Sequence, residues 1–164
     1  MGLNGGPYRF RPAAVGDLPL LAAWLREPEV ACWWQDADKQ LELLREDLAD
    51  PRMVMRIVSF EARPFAYVQD YEVHAWEQPH LAAFPVGTRG IDTFIGDPAM
   101  LGRGHGPAYL RLLAQHLRAE GAPMVVVDPD PANRRAQAAY AKAGFQARDL
   151  VATEDGPARL MVFV

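Results

Sequence analysis

Apolar residues recur along this chain in two rhythms. Tyr8 to Pro12 alternates and reads as a short strand, after which Leu18, Leu21, Trp24 and Leu25 fall at helical spacing, with Asp17 placed as an N-cap and Pro28 as a stop. A second amphipathic helix runs from about Asp38 to Leu48, with Leu41, Leu44 and Leu48 on one face, and Asp50-Pro51 ends it. Met53 to Phe60 and Phe65 to Tyr71 flank Glu61-Ala62-Arg63-Pro64, a spacing suited to a hairpin. The stretch from Glu72 to Thr88 is irregular, carries Pro79, Pro85, His74 and His80, and is the kind of long loop that often lines a site. A strand from Gly90 to Ile95 follows. The loop from Leu101 to Pro107 then leads to a helix reaching Glu120, with Leu110, Leu113, Ala114 and Leu117 inward. Met124 to Val127 is a fully apolar strand, Asn133 to Ala143 a helix, and Gln146 to Thr153 with Ala158 to Val164 a closing hairpin around Glu154-Asp155-Gly156-Pro157. The order β-α-α-β-β-β-α-β-α-β-β predicts a mixed α/β domain of about seven strands and four helices.

Composition narrows the partners. With 164 residues, half of them hydrophobic, the chain suits one domain, spanning 1–164, with a real core. The balance of 21 acids against 17 bases gives a net charge of −4, which argues against nucleic acid and for a cationic or neutral partner. Cys32 is the sole cysteine, and its neighbours Ala31, Trp33 and Trp34 offer no activating base, so a buried structural thiol is expected. No basic-then-apolar leader and no apolar run of bilayer length is evident, which predicts a cytoplasmic protein without a membrane partner. Oligomeric state leaves no mark in the sequence.

Chemistry concentrates in the second half of the chain. Gly102, Gly104 and Gly106 alternate between a strand and a helix, where backbone N–H groups are able to crowd around an anion. The same pattern also serves a tight turn without a ligand. It is neither a Walker loop, since Gly106-Pro107-Ala108 lacks Lys and Ser/Thr, nor a dinucleotide fingerprint. Asp92 lies mid-strand, where a carboxylate is disfavoured unless that face opens on solvent or a site. Asp128 ends the next strand, so both acids would border a gap if the two strand ends diverge. Asn133 and Tyr140 are seven apart, which places them on one helix face; a core tyrosine would fit the same spacing. Gly144 suits a helix C-cap with Phe145 packing back. His74 and His80 could face a substrate, but solvated loop histidines are the commoner case and are expected here; His105 and His116 are expected to be exposed, and nothing has metal-ligand spacing.

The loop "LGRGHG" and the helix "NRRAQAAYAKAGF", in this element order, resemble the GNAT superfamily of acyl-CoA-dependent N-acetyltransferases. Within that superfamily the words "WLREPEVACWW", "AYVQDY", "RGIDTFI", "DPDPANRRA" and "EDGPARLMV", in order from about Arg9 to Val162, are similar to the aminoglycoside 6′-N-acetyltransferases. The resemblance implies a GNAT fold with a mixed, mostly antiparallel sheet, acetyl-CoA as co-substrate, no metal, and a polycationic small-molecule amine as acceptor. It also implies that the backbone at Gly102, Arg103, Gly104, His105 and Gly106 holds the CoA pyrophosphate, that Phe94 and Ile95 hydrogen-bond the pantetheine arm, and that Asn133 faces it. By the same likeness Asp92 is the base and Tyr140 the acid that protonates the departing sulfur. Asp128 and Asp155 would bind further ammonium groups, Trp33 or Trp34 would stack on a sugar, and Gln69 would hydrogen-bond to it. Two departures stand out: Leu101 replaces the family's Arg or Gln, and the loop "EVHAWEQPHLAAFPVGT" replaces a shorter acidic one, leaving Glu72, Glu77 and Trp76 as substitutes. Alternative acceptors for such machinery are a lysine or hydroxylamine side chain or a protein N-terminus, and a non-catalytic acyl-CoA-binding module is a further alternative.

Overall fold

The computed structural model describes residues 3–164. The strands are β1 (Tyr8–Pro12), β2 (Val54–Phe60), β3 (Arg63–Glu72), β4 (Arg89–Ile95), β5 (Val125–Val127), β6 (Gln146–Thr153) and β7 (Gly156–Phe163). The helices are α1 (Leu18–Leu25), a single turn α2 (Pro28–Ala31), α3 (Ala37–Leu48), α4 (His105–Ala119) and α5 (Arg134–Ala143). The strands form a seven-stranded sheet in the order β1-β2-β3-β4-β5-β7-β6. All seven expected strands and the four long helices are present, with ends shifted by one or two residues. The short helix α2 was not foreseen: Pro28 does not stop α1, which ends at Leu25, but opens α2 from its first position. Asp17 occupies the N-cap of α1 without capping it, because its carboxylate faces the Arg11 guanidinium at 2.7 Å and accepts from the Ala14 N–H.

The contacts group the chain into two compact units, one of 3–70 with Asp92–Arg103, the other of Tyr71–Ile91 with Gly104–Val164. In the first, β1 pairs with β2 and β2 with β3, all antiparallel. Alternation along these strands puts Met55, Ile57, Tyr67 and Phe94 in one cluster with Leu18, Leu21, Trp24, Leu25 and Leu44 from α1 and α3. Arg56 of β2 forms an ion pair with Asp70 of β3, whose side chain is almost wholly buried. At the end of β4 the chain turns at Gly96, whose N–H donates to the Phe65 carbonyl at 2.8 Å. A Cβ built on Gly96 would lie 2.0 Å from Cγ of the buried Trp24, so the indole packs against bare backbone.

In the second unit β4 and β5 run parallel, with Arg89 opposite Val125 and Gly90 opposite Val126, and β7 lies antiparallel between β5 and β6. Val73, Leu81, Val126, Leu160 and Val162 form its second cluster. Helix α4 buries Tyr109, Leu110, Leu113, Ala114 and Leu117 along one stripe. Its Arg111 donates from Nε to the Ala143 carbonyl at 3.0 Å and from Nη2 to the Lys142 carbonyl, two acceptors that the end of α5 leaves open. Gly144 stops α5 in a left-handed conformation, and the Phe145 ring packs 5.6 Å from that of Tyr140. Among the described residues no helix is long and apolar enough to cross a membrane.

The Trp24 contact makes Gly96 a test of the first unit's packing. Gly96→Ala is expected to lose about 1–3 kcal/mol or more, because the ring has no flexible end to withdraw, and urea unfolding would read the loss.

Candidate active site

On β3, Tyr67 and Gln69 are two residues apart and share a face; on β4, Asp92 and Phe94 do the same. The hydroxyl of Tyr67 donates to Oε1 of Gln69 at 2.6 Å, and Nε2 of Gln69 donates to Oδ2 of Asp92 at 2.9 Å. The amide is thereby held by both ends, with Tyr67 fixing which end is oxygen. Burial, reinforced by the negative charges of Asp92 and Asp47, keeps the Tyr67 phenol well above its usual range, so it remains a donor. Gln69 is only 7% exposed. Its amide donates to Asp92 and so orients the carboxylate.

Aromatic rings wall the apolar end of this face. Trp34 stands edge-on to Phe94 at 5.1 Å and to Tyr67 at 6.4 Å, and Trp24 stands edge-on to Phe94 at 6.3 Å. Trp33 is 42% exposed. The adjacent tryptophans thus divide: Trp34 is part of the wall, and Trp33 presents its ring to solvent. Cys32, expected inside, is exposed, because the one buried position of α2 belongs to Val30; its Sγ lies 3.6 Å from the Glu29 carbonyl.

The acids of the second unit have a partner that the sequence did not announce. His80 Nε2 lies 2.9 Å from Oδ2 of Asp128, and the His80 side chain is only 9% exposed rather than solvated. Burial raises the Asp128 carboxyl above its ordinary value, the hydrogen bond from His80 opposes the rise, and the charge of Asp155 adds to it. Asp155 is exposed in the β6–β7 turn, its N–H on the Thr153 hydroxyl at 3.2 Å. The prolines that flank Asp130 belong to a fixed turn: the Pro129 carbonyl accepts from Arg159 N–H at 2.9 Å, and Oδ1 of Asp130 accepts from Ala132 N–H at 2.8 Å. Asn133 is the N-cap of α5, its Oδ1 accepting from Ala136 N–H at 3.1 Å. Its side chain therefore bends over the start of α5, the helix that carries the buried Tyr140. His105 and His116, expected to be exposed, are both half-buried, His105 as the first residue of α4 and His116 in its last turn.

The glycine loop is built for close approach. Gly102 and Gly104 have φ of +68° and +82°, and a Cβ on either would meet no atom within 4 Å. Gly104 is the N-cap of the fifteen-residue α4 and supplies no side-chain cap. The positive end of a long helix is thus left to backbone amides in open space, which fits a pyrophosphate.

Residues 14–153 match the family model described as the acetyltransferase (GNAT) domain. The chain belongs to the GNAT acetyltransferases. An aminoglycoside N(6′)-acetyltransferase type 1 from Klebsiella pneumoniae is 32% identical over 159 residues, covering 89% of this chain and 77% of that protein. Two crystal structures of the aminoglycoside acetyltransferase AAC(6′)-Ib, one with coenzyme A and one with coenzyme A and kanamycin, each superpose with a TM-score of 0.86 at 29% identity, covering 96% of this chain and 94% of theirs. The α/β GNAT fold that the resemblance implied is therefore the observed one.

Within the first unit Gln69 is thus hydrogen-bonded to Asp92 while Trp34 stands against Phe94 and Tyr67, and within the second the charge of Asp155 reaches Asp128. Two residues outside the expected site set, Tyr67 and His80, join these contacts. Tyr67 was legible, since the alternation in "AYVQDY" puts it beside Gln69; His80 was not, because 48 residues separate it from Asp128 and no motif links them. Glu72, a candidate substitute acid of the loop, has both oxygens engaged by backbone, accepting from Gly87 N–H at 2.9 Å and His74 N–H at 2.8 Å.

Tyr67→Phe would leave the buried Oε1 of Gln69 without its donor. A loss of about 1–2 kcal/mol is expected in chemical unfolding. The raised Asp128 carboxyl holds its proton more tightly folded than unfolded, so its contribution to stability is full below the unfolded value and is lost as pH rises through the folded one. The stability of the natural protein relative to Asp128→Asn should therefore decline between roughly pH 4 and the folded value of Asp128, as measured by urea midpoints across that window.

Proposed function

We propose that this acetyltransferase is a single catalytic domain that moves the acetyl group of acetyl-CoA to a primary amine of an aminoglycoside, the 6′-amine. The observation that carries the reading is Asp92: a carboxylate on the face of a strand, held by the Gln69 amide beside an aromatic wall. Its similarity to aminoglycoside N(6′)-acetyltransferases supports the choice of amine, as does the second acidic pair, Asp128 and Asp155. A reaction that consumes acetyl-CoA fits a cytoplasmic location.

The chemistry has three demands: a neutral amine, a polarised thioester carbonyl and a proton for the leaving thiolate. In this reading Asp92 accepts the ammonium proton, directly or through a water, and the free amine attacks the carbonyl carbon. A backbone N–H at the Phe94–Ile95 end of β4 polarises the carbonyl oxygen, and the C–S bond breaks as Tyr140 gives its phenolic proton to sulfur. The nitrogen of the adduct then loses its second proton, which returns through water to the Tyr140 phenolate, so the acceptor leaves as its acetyl amide and CoA as a thiol. The amides from Gly102 to Gly106 hold the pyrophosphate, and the free edge of the Asn133 amide, its Nδ2, serves the pantetheine arm. Asp128 and Asp155 attract the remaining ammonium groups, and Trp33 offers its ring to a sugar.

Thiol release from acetyl-CoA with kanamycin-type amines, polyamines, lysine derivatives and N-terminal peptides tests the acceptor. Aminoglycosides are expected to be turned over with kcat/KM falling as salt rises; turnover of a peptide or lysine derivative alone would overturn the reading. Asp92→Asn and Tyr140→Phe should each reduce kcat by about 10- to 1000-fold with near-normal acetyl-CoA binding. An unchanged kcat for Tyr140→Phe would leave Tyr140 as a packing residue against Phe145.

A further inference from the structure

The segment 73–88 is fastened at several points. Val73 N–H donates to the Thr88 carbonyl at 3.0 Å, both carboxylate oxygens of Glu72 accept from its backbone, and Nε2 of His74 meets the Phe84 carbonyl at 2.8 Å. Leu81 is buried with Val126 and Leu160. The neighbouring His80 is consequently carried on a short 3-10 turn, Pro79–Leu81, with little freedom, and its ring is directed onto Asp128.

We infer that His80 is a specificity-determining residue that sets the charge Asp128 presents to a cationic substrate, and so makes the affinity for polyamines depend on pH. The inference rests on the reading of Asp128 as an ammonium-binding residue. With a neutral imidazole, Nε2–H donates to Asp128 and the carboxylate keeps its full negative charge. With a protonated imidazole the two groups form an ion pair of zero net charge, and an arriving ammonium competes with a cation already seated. An ammonium lost from the bound substrate's set of contacts weakens binding without altering the bond-making step, so the effect falls on KM rather than kcat.

The surroundings leave His80 as the group positioned for this. From the 79–81 turn comes His80 itself; from the end of β5, Asp128; from the β6–β7 turn, Asp155, whose charge reaches Asp128, and the exposed Glu154. The β6 strand, packed on the 79–81 turn, carries Arg148 and Asp149, both exposed. Asp130 accepts from the Ala132 N–H. The raised Asp128 carboxyl is consistent with a carboxylate whose charge is costly in this setting and therefore sensitive to a neighbouring proton.

The test compares kcat and KM for kanamycin between about pH 5.5 and 8 in the natural protein and in His80→Gln, which keeps an N–H donor but cannot titrate. Comparing variants cancels the titration of the substrate's own amines. KM of the natural protein should rise on acidification by roughly 3- to 10-fold more than that of His80→Gln, with parallel kcat profiles. Superimposable KM profiles would overturn the inference. A second measurement needs no turnover: kanamycin affinity is read by calorimetry at about pH 5.5 and about pH 8 in the natural protein and in His80→Gln. The loss of affinity on acidification should be larger in the natural protein, and equal losses would overturn the inference. Should the natural protein acetylate no aminoglycoside, the proposed function fails by that result, while calorimetry still judges whether His80 sets the pH dependence of binding.

Discussion

A carboxylate two residues from a buried phenylalanine, on the same face of a strand, has to be held by something. Water is displaced on one side by the aromatic cluster of Trp24, Trp34, Tyr67 and Phe94. The answer is a hydrogen-bond chain that begins at a phenol locked in its donor state and passes through an amide whose two ends are both engaged. Much of the first unit is arranged around it. The pairing of β2 with β3 puts Met55 opposite Gln69 and Ile57 opposite Tyr67, while α1 and α3 cover the face with leucines. Such a group has to be oriented without being sealed off: Asp92 receives the Gln69 amide and is only half-buried.

The fold was legible because local signals agreed with one another. Alternation in "RGIDTFI", the leucine stripe before Glu120 and the Gly144-Phe145 stop each specified an element that tertiary packing then accepted. Where readings failed, the cause was a competition the sequence does not display. Asp17 had two partners and took Arg11 in preference to the helix. Cys32 went outward because Val30, two positions earlier, filled the single inward place of a one-turn helix.

The candidate site was legible in proportion to how local its geometry is. Glycines 102 and 104 sit within three residues, and their left-handed backbone could be anticipated from type and spacing alone. Tyr67 and Gln69 required only the period of a strand. The His80–Asp128 contact required knowing how a proline-bearing loop folds back over β5, and no periodicity encodes that. The irregular segment 73–88 thus sets a histidine against Asp128 that the regular elements do not supply.

Arg111 has a consequence for how the molecule opens. A helix end normally frays because its last carbonyls have no partner, and frayed amides trade their hydrogens with solvent quickly. Here the guanidinium of one helix covers the carbonyls of Lys142 and Ala143 at the end of another, while the Gly144 and Phe145 amides donate to the Tyr140 carbonyl. The last turn of α5 cannot melt without releasing α4's arginine. Hydrogen exchange at residues 143–145 should then report a shared opening of the two helices, and the backbone that carries Tyr140 belongs to a cooperative unit instead of a loose terminus.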